Sequence, residues 1–133
     1  MKKYMLDTNI VSYLIRKHPV VAQYIATLPI RATCLSVITE AELLLGLAKR
    51  PGAKSLHIVV KELLRCVDVL PWKTSTAECY ADIRASLSNR GKTLSALDLL
   101  IAAHAKSVNA VLITNDNAFK QVDEFKVEYL SIE

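Results

Sequence analysis

Lys3-Tyr4-Met5-Leu6-Asp7, then Thr8-Asn9, then Ile10-Val11-Ser12-Tyr13-Leu14-Ile15-Arg16 is the stretch on which the fold turns. Residues 3–7 read as a short buried strand, Thr8-Asn9 as a break, and Ile10 to Arg16 as a helix. The same alternation repeats outward. Pro19 opens a helix over Val20 to Leu28 and Pro29 stops it. Thr33 to Ser36 is a second strand, followed by a helix from Val37 to Lys49 that ends at Pro51-Gly52. A helix from Lys54 to Arg65 leads to a strand over Val67 to Leu70. Thr74 to Asn89 is helical, with Ala77, Tyr80, Ala81, Arg84 and Leu87 on one stripe and Arg84 out of character. Gly91 caps that helix. Ser95 caps the next, which runs to Val108 and is apolar almost all round. Ala110 to Thr114 and Val127 to Leu130 complete the strands. Strands alternating with helices specify an α/β fold: one domain over residues 1–133, a central twisted parallel sheet, helices on both faces.

Hydrophobic residues make up 52% of the 133, which suits a packed core and excludes a disordered chain. No apolar run approaches the roughly 18 residues of a membrane span. Lys2 and Lys3 resemble the start of a secretion signal, but Asp7 interrupts the apolar stretch that should follow, so a cytoplasmic protein is expected. Cys34, Cys66 and Cys79 are odd in number and lack paired spacing, so buried thiols are expected rather than disulfides or zinc ligands. His18, His57 and His104 fit no metal spacing. The formal charge of +4 favours a polyanionic partner such as nucleic acid.

In a parallel sheet of this type the working site lies at the carboxyl ends of the strands. Asp7 ends the first strand, and Asp116 lies just past the fourth. Glu42 lies on the helix leaving the second strand, and Asp98 opens the most apolar helix. Each has an ordinary explanation alone: Asp7 as a cap, Asp98 in a capping box with Ser95, Asp116 in the turn Asn115-Asp116-Asn117, Glu42 on a solvated helix face. Together they are four acids, three of them (Asp7, Glu42 and Asp98) in apolar settings, with no Lys or Arg beside them in the same elements. Carboxylates gathered without cations repel, and a divalent ion with oxygen ligands, Mg²⁺ or Mn²⁺, resolves the repulsion. One or two such ions equip a site for phosphodiester hydrolysis. Thr8, Asn9, Ser36, Thr114 and Asn115 supply polar groups nearby. Glu40, two residues from Glu42, faces another side of its helix.

Leu6-Asp7-Thr8-Asn9-Ile10-Val11 resembles the opening motif of PIN-domain nucleases, in particular the VapC-type toxins. Leu35 to Gly46, with Glu42 directly before Leu43, is similar to the second motif. Asp98-Leu99-Leu100-Ile101-Ala102-Ala103-His104-Ala105 is similar to the third, and Thr114-Asn115-Asp116 to the fourth. The resemblance runs from about Tyr4 to Phe119. It implies a PIN-like fold and a Mg²⁺- or Mn²⁺-dependent endoribonuclease using Asp7, Glu42, Asp98 and Asp116. It further implies a homodimer, a VapB-type antitoxin partner whose tail crosses the active-site groove, and transfer RNA as substrate, with the initiator anticodon stem-loop foremost. Many members carry an acid directly before the Phe of the fourth motif; here Ala118 precedes Phe119, leaving Asp116 as the only acid there. A non-cleaving, FitB-like nucleic-acid-binding subunit shares the same acids and is the alternative.

Arg90 and Lys92, just ahead of Asp98, are expected to guide RNA, with Lys120 and Lys126 as further candidates. Tyr13, Tyr24 and Trp72 could stack on bases, although core or dimer packing suits each better. An aspartyl-nucleophile phosphatase needs an acid two residues after the first, where this chain has Asn9. A receiver domain needs its acid at the end of the middle strand, where this chain has Val69-Leu70-Pro71.

Overall fold

The computed structural model describes residues 2–132. Strands β1 (Tyr4–Leu6), β2 (Thr33–Ser36), β3 (Asp68–Leu70), β4 (Val111–Thr114) and β5 (Val127–Tyr129) form one sheet in the order β3-β2-β1-β4-β5. Every neighbouring pair is parallel. Helices α1 (Thr8–Ile15), α2 (Pro19–Ala26), α3 (Val37–Ala48), α4 (Lys54–Cys66), α5 (Thr74–Asn89) and α6 (Ala96–Ser107) connect them. Short 3-10 turns at Ile30–Ala32 and Asn117–Gln121 were not legible in the sequence.

Because successive strand residues point to opposite faces, each strand feeds two cores. Met5, Cys34 and Leu112 pack with Ile83, Leu87, Leu99 and Ala102 from α5 and α6. Leu6, Leu35 and Ile113 pack with Ile10, Val21, Leu43 and Val60 from α1 to α4. The expected α/β architecture, with helices on both faces, is therefore the observed one.

The topology also locates a crevice. The chain leaves β1 for β2 and β3 on one side and returns to β4 on the other. The carboxyl ends of β1 and β4, in register with Leu6 opposite Ile113, flank the point where strand order reverses. Ligands in open parallel sheets bind at such a switch point.

Several local expectations change. Helix α1 begins at Thr8 rather than Ile10, because the Asp7 carboxylate accepts the Ile10 N–H at 2.8 Å and caps the helix there. The buried line of α5 is Thr76, Ile83 and Leu87, with Ala77, Ala81 and Arg84 exposed. A polar Thr76 can occupy that line because its hydroxyl meets the Lys73 N–H at 3.3 Å and the Ser107 hydroxyl at 3.1 Å. Leu97 is 45% exposed, so the burial of α6 starts at Leu99. Of the cysteines only Cys34 is buried; Cys66 is exposed in the last turn of α4, beside Glu62, and Cys79 is half-buried. Gly91 follows α5 at φ 65°, and the Lys92 N–H reaches back to the Leu87 carbonyl at 2.8 Å, a Schellman closure that favours glycine. Among the described residues no helix is long and apolar enough to cross a membrane.

Candidate active site

Asp7 reaches the crevice at the end of β1. One carboxylate oxygen holds the first turn of α1, and the other accepts from the Thr114 hydroxyl at the end of β4. Thr114 Oγ1 in turn accepts the Asp116 N–H at 3.0 Å. Asp7 is thereby fixed by two elements and only 5% exposed. Glu42 comes from the second turn of α3. Its carboxylate accepts from the Thr8 hydroxyl at 2.8 Å, and Thr8 also meets Thr39 at 3.2 Å. Thr39 lies three residues before Glu42 on the same helical face, a spacing that could have marked it in the sequence. Asp98 stands in the first turn of α6, where Ser95 Oγ caps its N–H at 3.2 Å.

Asp7, Glu42 and Asp98 line a single cleft of about 150 Å³ together with Thr8, Asn9, Ser95, Leu97 and Ile101. Asp116 is not part of its wall. It sits close enough to raise the pKa of both Asp7 and Asp98, while its own Oδ1 accepts the Ala118 N–H at 2.9 Å. Burial pushes Asp7 up to about 6, against the lowering effect of Thr114 and Ile10, and the charges of Asp98 and Asp116 add to the rise. Asp98 is raised for the same two reasons. Three acids therefore oppose one another across one crevice.

Other expected site residues lie elsewhere. Ser36 is fully buried beneath the site, accepting the Ile38 N–H at 3.0 Å and bonding His104 Nδ1 at 2.6 Å; it caps α3 instead of facing the cleft. Asn115 is half-buried, and its Oδ1 is buried with no partner among the described residues. Arg90 is tied to the Gln121 carbonyl at 2.8 Å and to Asp123 at 3.6 Å, away from the acids. Lys92 lines a neighbouring cleft with Arg84 and Leu99. Lys120 covers the Tyr129 ring and Lys126 bonds Asn109, so both are engaged locally. Tyr13 packs against His18, and Trp72 packs edge-on to His104 at 5.7 Å. Tyr24 packs against the α1–α4 core.

The donor set suits a hard cation. All the charged groups are oxygens, and the two ion pairs among the described residues, Arg65–Glu62 and Arg90–Asp123, involve none of them. Among the described residues no three acid, His or Cys side chains close into a ready-made cage.

A parallel sheet with order reversing at β1 and β4, and acids from three elements at that reversal, defines the class. Residues 4–125 match the PIN domain, and the chain belongs to that family. Within it, the chain is 34% identical over 129 residues to "Ribonuclease VapC2" of Haemophilus influenzae, covering 96% of this chain and 98% of that one. It is 30% identical, over the same shares, to the "tRNA(fMet)-specific endonuclease VapC" of Shigella flexneri. The solved DNA-bound VapBC from Salmonella typhimurium superposes with a TM-score of 0.89 at 31% identity, covering 97% of this chain and 98% of that one.

Proposed function

We propose that this protein is a metal-dependent endoribonuclease, the toxin of a toxin–antitoxin pair, acting in the cytoplasm on transfer RNA. The observation that carries the reading is the cleft itself: Asp7, Glu42 and Asp98 converge from separate elements, and none of them belongs to an ion pair among the described residues. Relatives named as VapC ribonucleases support RNA as the substrate class, and the Shigella relative's name supports initiator tRNA. The VapBC complex supports a VapB-type antitoxin as partner, and the family resemblance a homodimer.

Asp7 and Asp98, with Glu42 and Asp116 beside them, would hold one or two Mg²⁺ or Mn²⁺ ions. Such an ion lowers the pKa of a coordinated water and offsets charge developing on the phosphate. The protein's contribution is preorganisation. Thr114 and the Ile10 N–H orient the two oxygens of Asp7, and Thr8 orients Glu42, so the ligands move little when charge arrives. Leu97 and Ile101 supply the apolar wall that limits water on one side.

The test is cleavage of total bacterial RNA by wild type and Asp7→Asn with Mg²⁺, with Mn²⁺ and with chelator. A discrete product that needs metal and vanishes in the variant is expected, and sequencing its ends names the RNA. Absence of cleavage by folded wild type on any RNA would favour the non-cleaving, nucleic-acid-binding reading.

A further inference from the structure

The acidic cleft adjoins one groove that carries arginines, and a second basic cleft lies on the chain segment that leads into Ser95. On the α1–α3–α4 side a groove of about 380 Å³ shares Thr8 and Glu42 with the acidic cleft and carries Arg16 and Arg50. On the α5–α6 side a cleft of about 130 Å³ carries Arg84 and Lys92 and is walled by Leu94 and Leu99, immediately around the turn that presents Ser95 and Asp98. Neither Arg16, Arg50, Arg84 nor Lys92 belongs to either ion pair among the described residues. Two of them are nevertheless oriented. Arg16 lies over the Tyr13 ring at 4.9 Å and donates to the Ser12 carbonyl, and Arg84 donates to the Tyr80 hydroxyl at 2.6 Å. Such contacts fix a guanidinium without consuming its charge. A third cleft is the contrast: Arg90 and Lys106 there face Asp82, Asp123 and Glu124.

We propose that a single-stranded RNA segment crosses the acidic cleft, with the phosphates on one side of the scissile bond held by Arg16 and Arg50 and those on the other by Arg84 and Lys92. The inference rests on the ribonuclease reading. A scissile phosphate can sit among carboxylates only with metal between them, and the neighbouring phosphates need cations instead. Arg16 and Arg50 line the groove that shares Thr8 and Glu42 with the acids, and Lys92 lies on the segment that runs into Ser95 of the acidic cleft. A cleft of about 150 Å³ gives room for one phosphodiester of a strand, so its neighbours must lie outside the acids. Setting the four candidate acids aside, the chain's 17 basic residues face nine acidic ones, so the strand meets a surface more basic than the net charge indicates.

The experiment compares three double variants, Arg16→Ala/Arg50→Ala, Arg84→Ala/Lys92→Ala and a control of equal charge loss, Lys2→Ala/Lys3→Ala, just ahead of β1 at the amino edge of the sheet. Binding of an oligoribonucleotide is measured against salt with Mg²⁺ in an Asp7→Asn background. Hydrolysis of bis(para-nitrophenyl) phosphate with Mn²⁺ is measured in the Asp7 background. Each single-stranded phosphate contact contributes about 0.7 to the log–log salt slope, so each flanking pair should lower it by about 1.4 and the control by nothing. The small diester, too short to reach either cleft, should be hydrolysed by all three at the wild-type rate. Unchanged slopes in the flanking pairs, or an equal loss in the control, overturn the path. So does a groove pair that is silent toward RNA yet loses binding of an acidic peptide, because that side then serves a protein. If wild type hydrolyses neither diester nor RNA while the slopes fall as stated, the path stands and the ribonuclease reading fails.

Discussion

Asp7→Asn should stabilise the metal-free protein at neutral pH and destabilise it in acid. Burial and neighbouring charge push the Asp7 carboxyl up from 3.8 to about 6. Between those values the folded chain holds a proton that the unfolded chain has released, so stability falls as pH rises through that window and is level above it. A rise of about two pKa units corresponds to roughly 3 kcal/mol lost by pH 7.5. Asparagine is neutral throughout and escapes that loss. It keeps an oxygen to accept the Ile10 N–H, but places an amide where the Thr114 hydroxyl had an acceptor, at a cost of about 1 kcal/mol. The variant should therefore exceed wild type by about 2 kcal/mol at pH 7.5 in chelator and trail it by about 0.5 kcal/mol at pH 4. In melting temperature the neutral-pH gain is roughly 6–10 °C. Urea titrations of both proteins across pH 4–8 would show two crossing curves. Parallel curves, or a variant weaker at every pH, would refute the account of Asp7 as a strained carboxylate.

Millimolar Mg²⁺ or Mn²⁺ should raise the wild-type melting temperature by mass action, and Asp7→Asn or Asp98→Ala should abolish the shift. Replacing Thr8 by Val removes the hydroxyl that orients Glu42, so RNA cleavage should fall about 10- to 100-fold while the circular dichroism spectrum is retained. Glu40→Ala should leave cleavage nearly intact where Glu42→Gln abolishes it; a severe loss in the former would show that the wrong glutamate was assigned. Gly91→Ala meets no atom within 4 Å but forces a side chain into φ 65°, so denaturant unfolding should register a loss of about 1 kcal/mol without any change in activity.

The sheet was legible because its strands are short apolar runs bounded by turn residues, and Thr33 to Ser36 lies where the pattern puts it. Asp7, Glu42 and Asp98 were legible for the reason that makes them costly: they interrupt apolar segments. What the one-dimensional pattern hides is partnership. Ser36 is a polar residue at a strand end, equally suited to a cleft or a cap, and only the fold brings His104 against it from 68 positions away. Arg90 and Lys92 are neighbours in sequence, yet the turn at Gly91 sends them to different clefts, and a chain segment near Gln121 claims the arginine. The α5 stripe ends on Leu87 as read, but it was started at Ala77 where the buried line starts at Thr76, because alanine looks more apolar than threonine until the partners of Thr76 are known. Asp116 caps Ala118 with one oxygen and yet stands close enough to raise the pKa of Asp7 and Asp98, a double role that the turn Asn115-Asp116-Asn117 does not announce.

Asp7 anchors two secondary-structure elements with the same two oxygens that face the crevice. Folding and chemistry are thus written into one side chain, yet they separate at a single nucleotide change. An aspartate codon becomes an asparagine codon by one transition, and the product keeps its cap, its sheet and every surface that a partner or an RNA would meet. On the reading above, such a copy is not debris. It is a competitor that shields the RNA it can no longer cut, while every antitoxin it binds is one fewer for the active form, so a genome holding both versions can tune the weapon in either direction with the same part.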